Sequence, residues 1–184
     1  RTSKRPIVTG VISKKSATIF ATLIGIVSLL IFWIFTTTLA ALLALIAIAF
    51  YVFVYTMALK RRTSQNIVWG GAAGCMPVLI GWAAVTNSLS ITALAFFMVI
   101  FFWTPPHFWS LAIKYKDDYS AAGIPMLPVV ATKARVHKEM WFHTIMMIAC
   151  SIWLIISAGL AMWSMVVTVL LGLVFARELL ALKE

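Results

Sequence analysis

Three short runs in this chain carry residue types able to do chemistry. The first is Lys60-Arg61-Arg62, with Gln65 and Asn66 beyond it. Adjacent ammonium and guanidinium groups suit a phosphate, with arginine offering bidentate bonds. The same residues also serve as an anchor that snorkels to lipid head groups. The second run is Lys114-Tyr115-Lys116-Asp117-Asp118-Tyr119, continued by Ala121-Ala122-Gly123-Ile124-Pro125-Met126-Leu127-Pro128. It holds two of the chain's five acids. Neighbouring carboxylates resist ionising together unless a cation neutralises them. Mg²⁺ does this with one or two carboxylates plus phosphate oxygens. Pairing with Lys114 and Lys116 on a solvated face is the plainer alternative, but the apolar Gly-Ile-Pro-Met-Leu-Pro continuation suggests a lid or re-entrant segment.

The third run is Trp103-Thr104-Pro105-Pro106-His107-Phe108-Trp109. Two consecutive prolines remove the amides that would pair with the carbonyls of Phe101 and Phe102, which predicts a kink. Exposed carbonyls at membrane depth are tolerated only against protein or a wet cavity. A structural hydrogen bond is the bland role for His107, yet an ionisable side chain within a span makes a site the default hypothesis. The aromatic faces can stabilise a cation.

The elements that must hold these residues follow from composition. Of 184 residues, 63% are hydrophobic and 11% charged, and the mean hydropathy is +1.04. Soluble domains carry about 25% charged residues, so a water-soluble globule is excluded, and so is disorder. What remains is a polytopic membrane protein. Cys75 and Cys150 both sit in apolar runs, which argues against a disulfide framework or a zinc site. The net charge of +10 reads as topology and head-group attraction, not as a nucleic-acid surface.

Crossing the hydrocarbon core takes roughly 20 helical residues. Six stretches qualify, at about 16–34, 38–59, 67–86, 89–113, 140–157 and 160–176. Met140 to Ala176 is a single apolar run, too long for one crossing, and Ser157-Ala158-Gly159 is the place to fold it into a hairpin. The basic residues all lie in 1–15, 60–62, 114–138 or 177–183, and two spans separate each cluster from the next. Every charge therefore falls on one face, cytoplasmic or its organellar equivalent by the positive-inside rule. The third span is rich in glycine, and Gly70-x-x-x-Gly74 is expected to serve close helix packing.

Together the three runs describe one cavity with a basic patch and a carboxylate pair at its mouth and aromatics beneath. It suits an amphiphile with an anionic head and an apolar tail, and a polyprenyl diphosphate fits better than a free ion.

The runs Tyr55-Thr56-Met57-Ala58-Leu59-Lys60-Arg61-Arg62-Thr63, Gln65-Asn66-Ile67-Val68, Trp103 to Trp109 and Lys116 to Pro128 closely resemble the protohaem IX farnesyltransferase (haem O synthase) family. That family belongs to the UbiA-type intramembrane prenyltransferases. Arg1-Thr2-Ser3-Lys4-Arg5-Pro6 is similar to the stretch that follows the superfamily's first Asp-rich motif. The resemblance implies an all-α polytopic transmembrane helix bundle with nine spans in the full fold, six of them here. It implies a multi-pass protein of the bacterial inner membrane or the mitochondrial inner membrane, with charged loops on the cytoplasmic or matrix side. It implies Mg²⁺-dependent loss of diphosphate from farnesyl diphosphate, attack by a haem B vinyl group and addition of water, giving haem O, with haem A synthase as a partner. Carried onto this chain, Asp117 and Asp118 form the second metal–diphosphate motif. Lys60 and Arg61 bind diphosphate, helped by Arg1, Arg5, Arg62 and Lys116. From the residues themselves rather than from the resemblance, Trp103, Phe108 and Trp109 are expected to line the cation pocket and His107 to contact or ligate haem. Superfamily members usually spread the second motif's acids, whereas here they are adjacent. The first Asp-rich motif and the spans around it are absent, so the expectation is a single partial domain, inactive alone.

Other readings compete. A prenyltransferase for a different acceptor, such as an aromatic quinone precursor, uses the same residues. A non-catalytic haem-binding oxidase-assembly protein needs axial ligands, and only His107 lies clearly within a span, with His143 near the start of the fifth. A transporter predicts acids buried at mid-membrane, and none is found there.

Overall fold

The computed structural model describes residues 4–181. After a turn at the N-terminal end the chain forms α1 (Lys14–Phe35), α2 (Thr38–Ala49), α3 (Asn66–Thr86), α4 (Ile91–Lys114), α5 (Lys116–Ala121), α6 (Leu127–Val130), α7 (Lys133–Ser157) and α8 (Met162–Ala181). A π-helical stretch, Phe50–Leu59, prolongs α2 without a break. Among the described residues, six helical units are long and apolar enough to cross a membrane, α2 and its π stretch counting as one. The chain is thus an integral, multi-pass all-helical bundle.

The ends of the helices follow local chemistry. Ser13, Thr37, Ser90 and Thr132 each sit in extended backbone and accept a bond from an amide three residues on, as N-caps do. The cap at Thr132 starts α7 at Lys133, well before the apolar run at 140, so His143 lies inside the helix and not near its beginning. Gly159 takes φ +63° in the hairpin between α7 and α8, a conformation that glycine adopts without strain. Through Pro105 and Pro106, α4 stays one continuous helix, and both prolines are buried against protein. Thr104 Oγ1 donates to the Ile100 carbonyl at 2.7 Å one turn earlier.

Successive spans pack side by side, α1 on α2, α2 on α3, α3 on α4, α4 on α7 and α7 on α8. The uncharged connections therefore share one end of the bundle. Two hydroxyls stitch that end: Thr37 donates to the Ala83 carbonyl and Thr92 to the Ser157 carbonyl, each at 2.9 Å. At the opposite, charged end, Trp109, Met126, Leu127, Met140 and Ile67 form a packed core. The segment expected as a lid is part of this core, because Met126, Leu127 and Pro128 are buried. With lipid as apolar as the core, such packing holds by close fit rather than by escape from water.

Candidate functional site

Between α2 with its π stretch, α3 and α4 lies a cavity of about 680 Å³. That is within the ordinary range of ligand pockets, roughly 300–1,000 Å³. Tyr51 and Tyr55, the glycine face of α3 (Gly70, Gly71, Gly74), and Trp103, Thr104 and Phe108 of α4 line it. The glycines do two things. An added methyl on Gly70 would stand 2.6 Å from the Tyr55 ring, and one on Gly71 would stand 3.1 Å from Thr104, so both permit close approach. Gly74 instead borders open space.

The π stretch carries the cavity towards the cationic turn. Its hydrogen bonds span five residues: Lys60 N–H donates to the Tyr55 carbonyl at 2.8 Å. The wider turn returns Lys60 to the side of Tyr55, with Nζ 6.0 Å from the ring centroid. Arg61 and Arg62 are exposed on the turn that follows.

Asp117 and Asp118 occupy the first turn of α5, exposed, with Lys116 before them. The ammonium of Lys114 lies over the Tyr115 ring, 5.7 Å from its centroid. Tyr119, next to the acids, packs on the same core as Ile67, next to Asn66. The twin acids and the cationic turn thus stand exposed at the same end of the bundle, each a few residues in sequence from a member of one packed core, Tyr119 and Ile67. Among the described residues no three His, Cys, Asp or Glu side chains gather as a metal cage. The donor set fits a Mg²⁺ ion that takes one or two carboxylates here and its other oxygens from phosphate and water.

The aromatic run is divided. Trp103 and Phe108 line the cavity. Trp109 is fully buried in the core and meets His143 edge-on at 5.3 Å. His107 turns away from the cavity; it stacks on Trp103 at 4.4 Å and borders a separate hollow of about 150 Å³ with Ser110, Phe175 and Glu178. Arg5 is exposed in the turn before α1, its carbonyl accepting from Val8 and Thr9 N–H, and Arg1 lies outside the described residues. Sequence reasoning overlooked Tyr51 and Tyr55 as cavity walls; the signal was two phenols four residues apart in an otherwise apolar span. It also passed over the burial of His143, whose Nδ1 is 2.8 Å from the Glu139 carbonyl.

A family model described as the UbiA prenyltransferase family matches residues 1–184. The chain belongs to that family. This UbiA-family chain is 56% identical over 155 residues to "Protoheme IX farnesyltransferase 1" of Saccharopolyspora erythraea, an alignment covering 84% of the chain and 50% of the relative. It is 52% identical over 159 residues to "Protoheme IX farnesyltransferase" of Mycolicibacterium smegmatis, covering 86% and 52%. The protein of the same name from Clavibacter sepedonicus is 52% identical over 162 residues, covering 88% and 53%. The chain spans about half the length of these curated relatives. No solved structure matches it.

Proposed function

We propose that this UbiA-family chain forms the prenyl-diphosphate half of a protohaem IX farnesyltransferase, which transfers a farnesyl group from farnesyl diphosphate to a vinyl group of haem B to give haem O. One observation carries the reading: an apolar cavity of about 680 Å³ is lined by Tyr55, whose ring lies 6.0 Å from the Lys60 ammonium, and by Ile67, which shares a packed core with Tyr119 beside Asp117-Asp118. The names of the relatives support farnesyl and haem as the substrates.

In this reading Lys60, Arg61 and Arg62, with Lys116, bind the diphosphate oxygens and stabilise the charge that develops as the C–O bond breaks. Arg1 and Arg5 are proposed to assist. Asp117 and Asp118 would hold Mg²⁺, which when bound would neutralise the leaving diphosphate. Trp103, Phe108 and the tyrosines face the prenyl chain, and their π faces stabilise the allylic cation until the acceptor attacks. Trp109 holds the wall from behind. His107, on the far side of Trp103, contacts the haem. The charged end faces the cytoplasm of a bacterial cell or the mitochondrial matrix, and haem A synthase is the partner that receives the product.

The test is direct. Intact protein in membranes is incubated with haem B, farnesyl diphosphate and Mg²⁺, and haem O is sought by mass. Replacing Asp117 and Asp118 together by Asn should cut product by about a thousandfold or more while the protein still inserts, given that a single lost electrostatic contact costs about a hundred- to thousandfold. Unchanged turnover in that variant removes the acids from the chemistry.

A further inference from the structure

One buried side chain holds the cationic turn from beneath. Asn66, the first residue of α3, is 1% exposed. Its Nδ2 donates to the Thr63 carbonyl at 2.8 Å and, at longer range, to the Lys60 carbonyl at 3.4 Å. Both partners can only accept, so the amide has one workable orientation: nitrogen towards the turn, oxygen away from it. That oxygen is buried and has no partner. Native structures tolerate few such atoms, and each one asks for a reason.

The reason lies in the turn. Arg62 and Thr63 donate their N–H groups to the Leu59 carbonyl at 3.0 and 3.2 Å, and Gln65 N–H donates to Thr63 Oγ1 at 3.2 Å. Those bonds shape the turn locally, but Asn66 alone reaches back with its side chain to both Lys60 and Thr63, the residues that bracket Arg61 and Arg62. A leucine of similar shape would fill the space without an orphaned oxygen, yet it would release the Lys60 carbonyl and leave that of Thr63 with only the residue-66 backbone N–H, at 3.3 Å. The polar side chain keeps the turn in one shape at the expense of its own oxygen.

We propose that Asn66 is the positioning residue of the diphosphate site: it clamps the Lys60–Thr63 backbone so that the three cationic side chains are already arrayed when the anion arrives. The inference rests on the reading of this turn as the diphosphate site. A turn that must first be ordered loses binding free energy to that ordering, whereas a preset one does not. Losing the clamp should therefore weaken affinity and leave the chemical step largely intact.

The experiment measures farnesyl diphosphate kinetics, binding of inorganic diphosphate, and the thermal midpoint of the intact protein, for wild type, Asn66→Leu, Asn66→Asp and Arg61→Ala. In Asn66→Leu the KM should rise about tenfold with kcat within about twofold, the signature of lost uniform binding. Diphosphate affinity should fall by the same factor, and the midpoint should hold because the orphaned oxygen is gone as well. Asn66→Asp should be worse, since a carboxylate would face two carbonyls. A residue serving only stability would move the midpoint and the amount of active enzyme and leave KM alone. Should Asn66→Leu fail to insert, Asn66→Ser supplies the same comparison. Wild-type KM and diphosphate affinity in the Asn66 variants, alongside weakened binding in Arg61→Ala, overturn the clamp alone. Unchanged binding in Arg61→Ala overturns the diphosphate site itself.

Discussion

Gly70 and Tyr55 stand so close that a methyl group on the glycine would come within 2.6 Å of the phenol ring. The absence of a side chain on α3 thus sets where a tyrosine of the neighbouring span rests, and that tyrosine lines the cavity below Lys60.

Gly70→Ala should fold, because the displaced atoms belong to the far end of a side chain that can rotate. The ring would have to leave its place at the cavity wall, and the KM for farnesyl diphosphate should rise about three- to tenfold. Gly74→Ala, whose methyl meets nothing within 4 Å, is the control and should insert with an unchanged thermal midpoint. Equal KM values for Gly70→Ala and wild type would show that the tyrosine's place does not matter.

Trp103 and Trp109 lie in one run of aromatics but do different work. Trp109→Ala empties a fully buried site and should destabilise the protein by about 3–5 kcal/mol. Trp103→Ala removes a half-exposed cavity wall and should cost far less stability while lowering prenyl transfer about tenfold or more through lost cation–π contact. Thermal unfolding and turnover measured side by side separate the two.

The two hydroxyl bonds at the uncharged end predict a purely structural effect. Thr92→Val should cost about 0.5–1.5 kcal/mol by the usual value of such a bond, and Thr37→Val more, because its hydroxyl also caps α2. Each should leave the KM for farnesyl diphosphate unchanged, since neither residue is near the cavity's charged end.

Sidedness is open to labelling. A cysteine placed at Ser120 or Arg62 should react with a membrane-impermeant thiol reagent from one side only, and one at Ser88 from the other, all three positions being exposed. The native Cys75 and Cys150 are buried and should stay silent. Reaction of Ser120→Cys and Ser88→Cys from the same side would refute the alternation of spans.

Six crossings and the gathering of charge at one end were legible in the residues, because hydropathy and charge act as sums over a segment and need no knowledge of neighbours. So was the kinship, carried by the runs around Lys60, Trp103 and Asp117. The start of α7 was not, since Thr132 caps a turn of charged residues that hydropathy alone reads as loop. Packing decided the rest. It turned Trp103 and Phe108 to the cavity, sank Trp109 in the core and left His107 beyond it. It also widened Phe50–Leu59 into a π turn and buried Asn66 under the cationic loop. The physical reason is the solvent. In water, the alternation of polar and apolar residues marks which side of a helix faces inward. In lipid both sides are apolar, so that mark is erased and only the fit of one helix against the next settles where each side chain points.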